Sequence, residues 1–201
     1  MRALAWFTLG TLLFAGQAAN EQPLSKAHGD RFQAKLSKIV ETGNTPKSTN
    51  KARASVTTQF SDTELNAYLR FNLKDEIPVG IVDPSLQALG EGRVSGRAIV
   101  DLDAVRKQKQ RGWLDPMGYL TGRLPLTARG RLTTQDGMGR FQLESAEING
   151  VTVPKMFVQE LLSFYSRTPE DPDGINMDDP FVLPAQIREI RVAAGSTTIV
   201  Q

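Results

Sequence analysis

The spacing of apolar residues changes period several times along the chain, and each change predicts a different element. Phe32, Leu36, Ile39 and Val40 recur at helical spacing and predict a short helix within Asp30 to Glu41. Thr42 to Asn50 is a string of turn formers and small polar residues, which predicts a linker. Ala54 to Phe60 is a short β-branched strand, followed by Ser61-Asp62-Thr63-Glu64. These four residues form a capping box, in which the Ser61 hydroxyl accepts from the Glu64 amide and Glu64 reaches back. The helix it opens carries Leu65, Tyr68 and Leu69 on one face and ends between Asn72 and Lys74, with Ile77 to Gly80 closing the unit.

The middle of the chain alternates instead. Ser85 to Leu89 turns at Gly90-Glu91-Gly92 into Arg93 to Leu102, where Val94, Gly96, Ala98, Val100 and Leu102 oppose Arg93, Ser95, Arg97, Ile99 and Asp101. Gly122 to Thr134 repeats the pattern, with Leu124, Leu126, Ala128 and Leu132 against Arg123, Thr127, Arg129 and Arg131. Period-two patterning with one charged face predicts antiparallel strands covered on one side and wet on the other. The next strand, Arg140 to Asn149, breaks parity between Phe141/Leu143 and Ala146/Ile148. A β-bulge near Glu144-Ser145 would reconcile the two halves and bend the sheet. Gly96 and Gly130 lie inside strands, a further sign of curvature or close approach.

After the Asn149-Gly150 turn, Pro154 suits the first turn of a helix over Lys155 to Arg167. Phe157, Val158, Leu161, Leu162, Phe164 and Tyr165 cover well over half of its circumference, so it needs to be enveloped. An acidic loop and a hairpin of Ile187 to Val192 with Thr197 to Gln201 follow. The expected fold is α+β: a long, curved antiparallel sheet wrapped around an apolar helix.

The N-terminus adds an address. Arg2 is a short cationic start, Ala3 to Ala15 is apolar and uncharged, and Gly16-Gln17-Ala18 places small residues where a signal peptidase cuts. The run is shorter than the about 20 residues a bilayer span needs. Residues 1–18 are therefore expected to be a signal peptide cleaved near Ala18, with a periplasmic or extracellular protein as the product; an uncleaved anchor is the competing reading. Residues 19–52 form a polar leader with the short helix and linker, and 53–201 a single domain. There are no cysteines, which excludes a lipoprotein anchor and disulfide staples. With 24 cations against 22 anions, overall charge drives binding to neither nucleic acid nor membrane.

No catalytic constellation stands out. His28 is the only histidine and lies in the leader, and the domain has no base to activate a serine. Asp101 with Asp103, and Glu144 with Glu147, read as solvated sheet positions rather than a glycosidase pair. The loop from Glu170 to Asp179 is rich in oxygen ligands, but Pro172 interrupts it and the terminal glutamate of a calcium loop is missing. No metal and no cofactor is expected. One loop differs: Arg106, Lys107, Lys109 and Arg111 precede Trp113, Met117 and Tyr119. Cations attract anionic headgroups and Trp and Tyr favour the membrane interface, so these seven residues are candidates for membrane contact. Alternatively, their apolar members cap the core while the cations face water.

Ser61-x-x-Glu64-Leu65-Asn66-x-Tyr68-Leu69, Gly92-x-Val94-x-Gly96, Gly139-x-Phe141 running to Ile148-Asn149-Gly150, and Leu183-Pro184-x-x-Ile187-x-x-Ile190-x-Val192 together carry a resemblance. From Val56 to Gln201 the chain resembles bacterial exported lipid-binding proteins of the LmeA-like and YceB-like kind. The resemblance implies a TULIP-like half-barrel enclosing an apolar groove, and no enzyme. The expected function is binding or shuttling of phospholipid or glycolipid. Acyl chains would lie among Leu65, Leu69, Leu124, Leu126, Phe141, Leu143, Phe157, Leu161, Phe164 and Tyr165. The alternatives are an envelope interaction module with a filled core, and an enzyme using carboxylates alone.

Overall fold

A computed structural model describes residues 23–45, 55–104, 122–169 and 171–201. The first half contains α1 (Lys26–Asn44), β1 (Thr57–Ser61), α2 (Asp62–Phe71), β2 (Ile81–Gly90) and β3 (Arg93–Asp101). The second half contains β4 (Arg123–Gln135), β5 (Met138–Ile148), β6 (Val151–Thr152), α3 (Lys155–Ser166), β7 (Phe181–Val182), β8 (Glu189–Ala193) and β9 (Ser196–Val200). The residues proposed for membrane contact, and residues 1–18, lie outside the described residues.

Local chemistry sets the turns. At Ser61 the capping box forms as the sequence predicts: the Glu64 amide donates to Ser61 Oγ at 3.2 Å and the Ser61 amide to Glu64 Oε2 at 3.0 Å. Asp136-Gly137 joins β4 to β5 with both residues at positive φ, the two-residue connection whose twist matches a hairpin. Strands β2 to β6 form one open antiparallel sheet in sequence order, and β7 pairs with the start of β5. The fold is thus α+β, built on a long antiparallel sheet that does not close on itself.

Two bulges keep one face of this sheet apolar. Arg129 pairs with Ser145 while Gly130 pairs with Leu143, so Glu144 is the extra residue, where the break in parity predicts it. The bulge leaves Phe141, Leu143, Ala146 and Ile148 on the same face as Leu126, Ala128, Gly130 and Leu132. On β2, Val82 faces Ile99 and Ser85 faces Arg97, with Asp83 at φ 47° in the break. This brings Ile81 to the face of Leu86 and extends β2 four residues ahead of its expected start at Ser85.

Strands β1, β9 and β8 form a second, three-stranded sheet. It sits across the hairpin turns of the first: the Thr134 hydroxyl donates to Ile190 O and accepts from Ile190 N, and Gly137 N donates to Arg188 O. The tightest core lies here, where Ile39, Leu183, Ile187 and Ile199 meet, with Phe60, Ala185 and Ile190 around them. Phe32 adds ring contacts to Phe60 and Tyr68 at 4.8 and 4.9 Å.

The N-terminal helix therefore departs from expectation. It spans Lys26–Asn44, longer than Asp30 to Glu41, and it supplies Phe32 and Ile39 to the core of the unit expected to begin at residue 53. Its polar composition concealed a partner that lies far along the chain, at residues 183–201.

Candidate functional site

The apolar face of the long sheet is the first candidate. Its buried members are small, Ala88, Gly130 and Ala146, whereas Leu124, Leu126, Leu132, Phe141, Leu143 and Ile148 are half-buried. The cross-strand pairs Gly130–Leu143 and Leu132–Phe141 place the β4 and β5 candidates side by side. A Cβ on Gly130 would come within 2.3 Å of the Phe141 ring, so the absent side chain is what lets that ring approach the β4 backbone.

Among the other predicted site residues, Leu65 and Leu69 are half-buried on α2, at the opposite edge of the sheet, and Phe157 is half-buried on α3. Helix α3 lies against β5. Leu161, Phe164 and Tyr165 belong to α3, but their side chains lie outside the described part of the structure. The acidic loop ties to this helix: Gln159 donates to Ile175 O and accepts from the Met177 amide, and Ser166 Oγ accepts from the Ile175 amide.

A second feature comes from the seam between α2 and β2. A cleft of about 750 Å³ has Leu69, Phe71, Ile77, Val79, Ile81 and Val82 among its walls, with Arg70 and Lys74 at its rim. A second cleft of about 490 Å³ adjoins it, because Leu24, Asn66 and Ser85 line both. This second cleft is polar, with Thr63, Gln87, Ser95 and Arg97 in its walls. Of the seam residues, only Leu69 was a candidate from sequence. The available signal was Phe71, Ile77 and Val79, apolar residues that fit neither the helix nor the strand period.

The edge of β2 along this seam is sealed by side chains. The Asn66 amide donates to Leu86 O at 2.8 Å and its oxygen accepts from Leu86 N at 2.7 Å, as a neighbouring strand would. Asp62 Oδ2 accepts from Ala88 N at 2.9 Å, and Gly195 N donates to Ala88 O. Burial pushes the Asp62 carboxyl above the usual carboxylate range, against the opposing pull of the Ala88 N–H.

The other face of the long sheet is rich in arginine. Register places Arg93, Arg97, Arg123, Arg129, Arg131 and Arg140 together on it. Arg123 pairs with Asp101 at 2.9 Å and Arg131 with Glu144 at 3.6 Å. The Arg123 contact and the Ala104 amide hold the Asp101 carboxyl below its ordinary value, the amide having the larger effect. Arg97, Arg129 and Arg140 form no ion pair among the described residues.

No protein-family model matches the chain, and no curated protein matches it. Among solved structures, the chain is similar to a crystal structure of lipopolysaccharide binding protein at 13% identity and a TM-score of 0.23. That match covers 78% of this chain and 46% of the other, so the chain spans about half of that protein's length.

Proposed function

We propose that the chain is an exported, non-enzymatic protein of the cell envelope that binds or shuttles phospholipid or glycolipid through its acyl chains. The half-open apolar face of the long sheet carries this reading. The Glu144 bulge aligns Leu124, Leu126, Leu132, Phe141, Leu143 and Ile148 on one surface, yet those large side chains keep part of their area open. Each acyl methylene buried there contributes about 0.8 kcal/mol, so one long chain gains roughly 10 kcal/mol before ordering costs. The cationic start and apolar run before Ala18 support export, and Arg106, Lys107, Lys109 and Arg111 with Trp113, Met117 and Tyr119 would make the membrane contact.

Native mass spectrometry of protein purified from cells tests the proposal. Co-purifying phospholipid or glycolipid is expected, and Leu126→Trp should reduce the loaded fraction without unfolding the chain. Protein that is consistently lipid-free, and takes up none from liposomes, would overturn it. The arginine-rich face favours a second reading, an interaction module for an anionic envelope polymer. Salt-sensitive retention on such a polymer, lost in the double variant Arg97→Gln/Arg129→Gln, would support that reading.

A further inference from the structure

The α2–β2 seam lies along the β2 edge of the sheet, apart from the β4 and β5 residues of the apolar face. Its polar end opens on the arginine side, since Ser85 pairs with Arg97 and Gln87 with Ser95. The two adjoining clefts form one trough, apolar around Phe71, Val79 and Ile81 and polar around Thr63, Ser95 and Arg97. Each cleft has the size of a small-molecule site, about 300–1,000 Å³. The trough follows β2 from Ile81 to Gln87, a length of roughly 20 Å at strand rise. One acyl chain spans half of a hydrocarbon core about 30 Å thick, so the trough holds one chain with room for a headgroup.

The polar end is built to meet a ligand. Ser95 is 5% exposed, and its hydroxyl has no hydrogen-bond partner among the described residues although it lines the cleft. Arg97 beside it forms no ion pair among the described residues, and neither do Arg70 and Lys74 at the apolar end. Two carboxylates line the trough, Asp83 and Asp62, and Asp62 is engaged by the Ala88 amide. Charge therefore favours an anion. An extended peptide is disfavoured, because Asn66, Asp62 and Gly195 already occupy the edge hydrogen bonds of Leu86 and Ala88.

We infer that the α2–β2 seam binds an anionic amphiphile with a single acyl chain, its tail against Phe71, Val79 and Ile81 and its head on Ser95 and Arg97. This inference rests on the lipid-binding reading above and assigns it a second site. Calorimetric titration of the full chain with lysophosphatidylglycerol, below its micelle concentration, tests it, with lysophosphatidylcholine and glycerol phosphate alongside. The anionic lysolipid should bind at least tenfold more tightly than the zwitterionic one, and glycerol phosphate only weakly. Arg97→Gln and Val79→Arg alter exposed positions, so their folds should survive, and each should weaken lysophosphatidylglycerol at least tenfold.

Equal affinity for both lysolipids would overturn the headgroup assignment, and unchanged binding in both variants would overturn the site. Should the chain form a dimer that Val79→Arg dissociates, the seam belongs to a second copy and the inference falls. If phospholipid loading depends on Leu126 but not on Arg97 or Val79, the seam assignment fails while the lipid reading stands. If no lipid of either kind binds, both fail.

Discussion

Two carboxylates in the first turn of α2 respond to acid in opposite directions. Burial pushes the Glu64 carboxyl up, the largest single influence, but Lys35 at 2.7 Å, the Ser61 amide and Arg31 outweigh it and hold it low. A depressed acid stabilises the fold above its unfolded value, about 4.3, and that contribution is lost as pH falls through the folded one. Glu64→Gln should thus be less stable than the parent near neutrality, with the gap closing below pH 4 in urea titrations. Asp62 has the reverse sign. Its raised carboxyl costs stability at neutral pH, and the cost disappears as pH falls through the folded value towards the unfolded one. Asp62→Asn keeps an oxygen for the Ala88 amide and should match or exceed the parent at pH 7, with any advantage vanishing on acidification. Asp62→Ala strands that amide and should cost about 1–3 kcal/mol. The capping box was readable from four residues, and Ser61→Ala should cost about 1 kcal/mol in the same assay. The bonds from α2 to the β2 edge were not readable, because Asn66 and Leu86 meet only through the tertiary fold.

Among the elements, those with strict periodicity were the most legible. β3, β4 and β5 have their predicted alternation and the Glu144 bulge its predicted place, since a parity change within a strand has few other solutions. The start of β2 was hidden because Asp83 and Pro84 interrupt its pattern and turn formers look alike in strands and loops. The bulge also separates two effects of one residue. Among the described residues the exposed Glu144 pairs with Arg131 alone, at 3.6 Å, so Glu144→Ala should change stability by no more than about 0.5 kcal/mol. Deleting Glu144 instead makes Leu143 and Ser145 adjacent, so Phe141, Leu143, Ala146 and Ile148 alternate without a bulge and the pairing with β4 is kept. The deletion should stay folded and well dispersed, seen by circular dichroism and size exclusion, and a deletion that unfolds or aggregates would contradict this account. At Gly130 an added methyl meets both the Phe141 ring and Gln142 O at 2.7 Å, so Gly130→Ala should cost about 1–3 kcal/mol.

At the scale of the whole molecule, the sequence predicted the sheet but not what closes its end. An amphipathic helix such as α1 announces that it will pack, not against what. Ile39 is 5% exposed among Leu183, Ile187 and Ile199, and Ile39→Ala should cost about 2–5 kcal/mol by chemical denaturation. A chain beginning at Arg53 should bind hydrophobic dyes and melt far earlier than one retaining α1. The candidate site divides in the same way. The sheet-face candidates share a surface because alternation fixes which way strand residues point, whereas the seam joins helix, turn and strand residues that no local period links. Gln201 is bonded through its amide to Ile39 O, 162 residues away, and pairs with Val56 through its backbone. Contacts so distant in sequence close late, because a long loop must be ordered before they form. A chain emerging from its N-terminus thus delivers α1 long before residues 183–201 arrive to cover it. The interlock of α1 with that later segment acts as a delay: Ile39 has no finished core to enter until residues 183–201 have been made.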